Sequence, residues 1–306
     1  MMTPDEIRTW SAAFRQGSRE EFQINLWIPE PPPPRDFELE KRQREFLASW
    51  GPPVSPNAGD AALPDFEAQC QAMLALSPKV LSSIMGLYST AFVSEMKARG
   101  ILWFANATTV AEARAAEQAG ADAIVAQGME AGGHRGAFHS SQAEQQMVGL
   151  MALLPQVVDA VTVPVIATGG IADARGIAAA LILGARAVQI GTGFLRTPEA
   201  KMHSAYTKRL ANTEAHDTMI TRAFSGRPGR SAATAYVRAA SASDAPHPAP
   251  YPVQRGLTRA MREAAQRDGD GERMQLWAGQ AAKLALDKPA GILCQQLWAE
   301  ASRLLL

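Results

Sequence analysis

The chain has 306 residues, 47% of them hydrophobic and 20% charged, with 30 Lys plus Arg cancelling 30 Asp plus Glu. The balance excludes an electrostatic footprint for nucleic acid or an anionic membrane surface, while the apolar share can fill a sizeable core. No stretch is long and apolar enough to span a membrane, and MMTPDEIRTW has no signal-peptide pattern, so the cytoplasm is the expected location.

In chain order, residues 3–16 (TPDEIRTWSAAFRQ) have a helical pattern, and residues 22–28 (FQINLWI) form the first strand candidate. Residues 29–34 (PEPPPP) make a stiff extended loop. Further strands are expected at 80–85, 101–105, 123–126, 164–167 and 187–190. Most are near-continuous apolar runs, as parallel strands covered on both faces require. Helices lie between them: one includes residues 94–99, another spans 109–118 and closes at Gly120. A third spans 173–183, with Asp173 as N-cap and Gly184 as its stop. Repeated βα units imply a parallel sheet, either a barrel or a doubly wound sheet.

From residue 203 to 256 no strand signal is visible, and the stretch ends in Ser- and Pro-rich sequence (SASDAPHPAPYP). It reads as an inserted, mostly helical cap after the last strand. Residues 276–285 and 294–305 read as amphipathic helices packing back on the body. The expected division is therefore a barrel over 1–202, a cap over 203–256 and C-terminal helices over 257–306. Cys70 and Cys294 match no metal or redox spacing, and both read as small core residues in a reducing compartment.

Three Gly-rich loops each follow a strand candidate: QGMEAGGHRG from Gln127, TGGI from Thr168 and GTGF from Gly191. Active sites of (β/α) barrels lie where the strands end, so the three loops form one candidate site. In the last two, glycines would let backbone N–H groups approach a phosphate, helped by the helix that opens at Asp173. Taken singly, each pair of glycines would do no more than serve a tight turn. In the first loop, His134 stands between paired glycines beyond a strand end, and imidazole is suited to taking or holding a proton near neutral pH. A lone histidine is more often structural, but this setting favours chemistry. Glu130 either orients it or stabilises the loop, and the structural role is the better reading. His139, His203, His216 and His247 have no comparable setting.

The string AQGMEAGGHRG, followed by PVIATGGIADARGIAAALILGARAVQIGTGFL, resembles the nitronate monooxygenase (2-nitropropane dioxygenase) family. Weaker similarity runs from FQINLWIP through SGRPGR to LWAGQ near the C-terminus. The resemblance implies a TIM-type (β/α) barrel with FMN as cofactor, and small-molecule nitronates or nitroalkanes plus O2 as reactants. It also implies that Asn25 and Gln127 contact the flavin, with Gly132 and Gly133 alongside. Gly169, Gly170, Gly191 and Thr192 would hold the phosphate, and His134 matches the family's active-site histidine. Asn106 occupies a position where relatives often carry Lys or Thr, and it offers hydrogen bonds without charge. No metal site is expected.

A barrel of this type has eight strands, and six are legible. The two phosphate loops follow the fifth and sixth of these rather than the seventh and eighth, so the unread pair belongs on the N-terminal side. There relatives carry a PMAG-like flavin loop and an AGGLG-type strand, and residues 3–16 resemble the family's second helix. The expectation is a late-starting chain or an open arc that binds FMN weakly alone, with an upstream extension restoring binding. Two other readings share these features: a flavin-dependent enoyl-acyl-carrier-protein reductase, or another NAD(P)H:acceptor oxidoreductase, and an inactive flavin- or phosphate-binding barrel. A barrel for another phosphorylated ligand fits TGGI but leaves QGMEAGGH unexplained.

Overall fold

The computed structural model describes residues 2–18, 21–60 and 62–306. A strand forms at each of the six expected places: β1 (Gln23–Trp27), β2 (Val80–Ile84), β3 (Leu102–Ala107) and β4 (Ala123–Gln127), then, after a two-residue strand β5 (Gly133–His134), β6 (Val165–Thr168) and β7 (Ala187–Gln189). They form one sheet in the order β1-β2-β3-β4-β6-β7, and every neighbouring pair is parallel. The order never reverses, as it would at the switch point of a doubly wound sheet. The sheet also curls, because Gln23 and Asn25 on the first strand and Gln189 on the last line one cleft. The architecture is therefore that of a (β/α) barrel, with β1 and β7 each paired on one side only among the described residues.

The helices are α1 (Pro4–Gly17), α2 (Phe37–Leu47), α3 (Phe66–Leu76), α4 (Thr90–Ala98), α5 (Val110–Gln118), α6 (Leu150–Ala160), α7 (Ala174–Ile182), α8 (Ser204–Ala211), α9 (Ala235–Ala240), α10 (Val253–Leu257), α11 (Arg259–Asp268) and α12 (Ala290–Leu304). Their starts follow from local chemistry. Thr3, Asp36, Asp65, Ser89, Thr109 and Asp173 each accept a first-turn N–H that the helix itself leaves without a partner. The apolar stripes of the barrel helices pack on the outer face of the sheet, where Leu81, Trp103, Ala105 and Ile124 are fully buried. Trp103 keeps its one polar atom satisfied by donating Nε1–H to Ser83 at 3.0 Å. No helix is long and apolar enough to cross a membrane.

Three expectations change. Residues 203–256 contain two strands, β8 (Thr218–Thr221) and β9 (Gly229–Ala232), and β9 pairs antiparallel with both β8 and β5. TMIT and GRSA carry no apolar run, so their pairing depends on backbone partners remote in the chain. Residues 276–285 are not a helix: Leu276 and Ala278 bond to the backbone of β9, and only a short 3-10 turn follows at Ala282–Leu284. The Trp277 ring packs inward while Gly279 breaks the local pattern, so the apolar spacing had suggested the wrong period. Cys70 is buried on α3, where burial pushes its thiol up to about 12, but Cys294 is exposed on α12.

Candidate active site

Side chains two apart on a strand share a face. On the inner face each of the six strands sets an uncharged hydrogen-bonding residue: Asn25, Ser82, Asn106, Gln127, Thr168 and Gln189, with Gln23 behind Asn25 on β1. All six line a single cleft at the strand ends, and among the described residues no ionisable side chain lines it. The sites named from sequence at Asn25, Asn106, Gln127, Gly132, Gly169, Gly170, Gly191 and Thr192 all meet there. Gly133 does not line the cleft; it adopts φ +80° and pairs with Arg230, turning the chain into β5. Gln23, Ser82, Gln189 and Gly279 are cleft residues that the sequence reading did not name, and Thr168 figures there only as the start of the TGGI loop. A polar residue recurring near the end of each otherwise apolar strand was the available signal.

Gln127 is held on three sides. Its Oε1 accepts from the Gly136 N–H at 2.8 Å and from Arg135 Nη1 at 3.2 Å, and its Nε2 donates to the His134 carbonyl at 3.2 Å. Arg135 is itself buried and reaches the Gly128 carbonyl at 2.7 Å; burial lowers its pKa to about 10, with Glu112 and Glu130 opposing, so it stays cationic at neutral pH. Asn106 is buried, and its Oδ1 has no partner among the described residues. It lies where a Cβ on residue 136 would come within 1.9 Å, so glycine at 136 leaves the Asn106 amide its place and a larger residue would displace it. Glu130 caps α6, accepting from the Leu150 N–H at 2.9 and 3.0 Å, and does not touch His134.

The second and third loops make a backbone cradle. Gly169 and Gly170 have φ of +111° and +68°, conformations that favour glycine, and the N–H groups of Gly169, Gly170 and Gly191 find no acceptor among the described residues. Asp173 meets the start of α7 itself, bonding the Gly176 N–H at 3.0 Å, so that helix end contributes less to an anion than its position suggested. Thr192 Oγ1 accepts from the Gly279 N–H at 3.0 Å, which draws the C-terminal segment against the cradle. Gly132 has no room for a side chain, since a Cβ would lie 2.4 Å from the Gly279 nitrogen. A single phosphate fits such donors, and the uncharged wall beside it suits a flat heterocycle with its own donors and acceptors.

His134 stands next to the cleft rather than in its lining. Its ring lies between Trp27, 4.6 Å away, and Trp277, 4.7 Å away, and Nε2 is 2.8 Å from Ser225 Oγ. Ser225 donates to the Arg227 carbonyl at 3.2 Å, which leaves its oxygen to accept the histidine proton. That assignment puts the ring proton on Nε2 and the lone pair on Nδ1. Burial lowers the pKa to about 3, assisted by the positive charges of Arg227 and Arg255, so the imidazole is neutral throughout the physiological range.

Fold and strand-end loops together define a flavin oxidoreductase of the (β/α)-barrel class. The chain belongs to the nitronate monooxygenase family, whose model matches residues 1–300. It is 34% identical over 290 residues to a probable nitronate monooxygenase of Staphylococcus aureus (strain Newman), covering 92% of this chain and 80% of that protein. The structure of nitroalkane oxidase from Streptomyces ansochromogenes is similar with a TM-score of 0.88 and 35% identity, over 98% of this chain and 86% of that one. FabK from Thermotoga maritima is similar at a TM-score of 0.73 and 28% identity, over 99% and 83%.

Proposed function

We propose that the chain oxidises alkyl nitronates, and nitroalkanes that it first deprotonates, with FMN as cofactor and O2 as oxidant, to carbonyl compounds and nitrite. The observation that carries the reading is a neutral, buried imidazole beside an uncharged cleft with one phosphate cradle. Family membership and the likeness to a nitroalkane oxidase support it. The fit to FMN rests on the cradle of Gly169, Gly170, Gly191 and Thr192, on the unpartnered Asn106 Oδ1, and on the close approach that Gly132 permits. Asn25, Asn106 and Gln127 would hydrogen-bond the ring system. When bound, FMN supplies the redox chemistry, and the protein supplies position and electrostatics.

His134 would accept the α-proton of a neutral nitroalkane at Nδ1, its ring held by Ser225 through Nε2. The negative charge of the nitronate forming beside the ring would raise its proton affinity above that of the empty site, where Arg227 and Arg255 hold it neutral. Residues 203–256 would act as a cap on the strand ends of the 1–202 body, with residues 257–306 packed back on it. Pairing of β9 with β5, in the loop that follows β4, supports that role.

The test is His134→Ala. It should keep the flavin while turnover of a neutral nitroalkane falls by roughly 10²- to 10⁴-fold. Turnover of preformed nitronate, already deprotonated, should fall much less. Normal turnover of nitroalkane by this variant, or rapid NAD(P)H consumption with an enoyl thioester and no nitronate oxidation, would overturn the reading.

A further inference from the structure

We propose that a second, apolar cavity just beyond the cleft holds the hydrocarbon chain of the substrate, for about three carbons past the reacting one. The proposal rests on the nitronate reading of the cleft. The cavity is bounded by Trp27, Ile28, Leu63, Phe66, Met85 and Tyr251, and encloses about 70 Å³. It continues the cleft along the strands. On β1, Gln23 and Asn25 line the cleft, and Trp27, next on the same face, lines the cavity. At the end of β2, Ile84 lines the cleft, and Met85, just past the strand, lines the cavity. Trp27 joins the two, because its ring also packs 4.6 Å from that of His134.

The polar groups in the wall are already engaged. The Glu30 carboxylate takes Arg227 Nη1 and the Ser140 N–H, Gln69 Nε2 donates to the Met2 carbonyl, and Arg227 Nη2 donates to the Ala137 carbonyl. Arg227 Nε has no acceptor among the described residues, but Glu30 beside it already balances the charge. A second carboxylate would be repelled there, so the occupant is an uncharged chain. An apolar cavity of ~150 Å³ takes benzene, so about half that volume takes roughly three carbons. Met85 adds a backbone observation: it holds φ +71° with its N–H bonded to the Gly136 carbonyl at 3.2 Å. Non-glycine residues held in the left-handed region cluster at ligand clamps.

The experiment uses the FMN-loaded chain and two ligand series. Binding of n-alkanoates from propanoate to octanoate, whose carboxylate is an unreactive planar stand-in for the nitronate head, is measured by calorimetry. Turnover is measured with primary nitronates of matching length. Affinity should rise roughly fourfold per methylene over about three methylenes and then level, with KM falling in parallel. Leu63→Trp, which fills the cavity, should flatten the series to within about twofold, and Phe66→Ala, which enlarges it, should move the plateau to longer chains. A flat series in the wild type, the same chain-length gain in both variants, or tighter binding of ω-dicarboxylates than of alkanoates would overturn the proposal. Alkanoates that follow the expected series with no nitronate oxidised would overturn the nitronate reading instead and leave an alkyl subsite.

Discussion

The neutrality of His134 is produced by residues far from it in the chain. Two indole rings displace water from the imidazole, and Arg227 and Arg255 repel its proton. The folded pKa of about 3 lies below the ordinary value of 6.5. The unfolded chain therefore takes up this proton first as pH falls. The stabilisation from burying a neutral histidine is complete above about pH 6.5 and is lost as pH drops toward 3. Urea denaturation of the wild type and His134→Gln at a series of pH values should show the wild type losing ground between pH 6.5 and 4. Parallel curves would mean that His134 is not held neutral. Arg227→Met should raise the His134 pKa, read from its ring resonances, and should destabilise the fold by leaving Glu30 without its buried partner.

At the scale of elements, the site depends on three segments meeting: the loop after β4, the turn after β7 and residues 276–281. Gly279 is the pivot, since a Cβ there would lie 2.8 Å from the Glu130 carbonyl and 2.9 Å from the Gly132 nitrogen. Gly279→Val should cost about 1–3 kcal/mol of stability, the usual penalty of overpacking, and should weaken FMN binding about tenfold by displacing Gly132. Gly291→Ala, in α12 with open space around it, is the matched control and should change neither. Equal FMN affinity in both variants would remove the C-terminal segment from the cofactor site. None of these contacts could be seen in LWAGQ alone, because they are made to loops about 80 to 150 residues earlier in the chain.

At the scale of the whole molecule, the cleft joins the two edges of the sheet. Gln23 and Asn25 on β1 and Gln189 on β7 line it together, so a ligand there spans the opening of the arc. A ligand that binds only the folded chain stabilises it by mass action. FMN at a hundred times its Kd should therefore add about 2.7 kcal/mol to unfolding. FAD should add less, because one cradle serves one phosphate and among the described residues no second glycine turn awaits an adenosine half. Thermal unfolding with each cofactor checks this, and equal stabilisation by the two would show that the cradle does not select.

What could be seen in the chain alone was local. Six strands, the helices α1, α4, α5, α7 and α12, and the Gly-rich strand-end loops were legible because apolar runs, side-chain caps and glycine turns act within a few residues of themselves. The positions of Asn25, Asn106 and Gln127 at the cleft were legible through family resemblance, and those of Gly169, Gly170, Gly191 and His134 through their strand-end loops. Tertiary structure decided the rest. It turned Gln23, Ser82 and Gln189 toward one cleft, since only the curl of the sheet distinguishes an inward polar residue from an outward one. It formed β8 and β9 from segments with no strand pattern, because their hydrogen-bond partners are β5 and residues 276–278. It also made His134 neutral, a property of neighbours drawn from β1, residues 225–255 and Trp277, which only folding brings into contact.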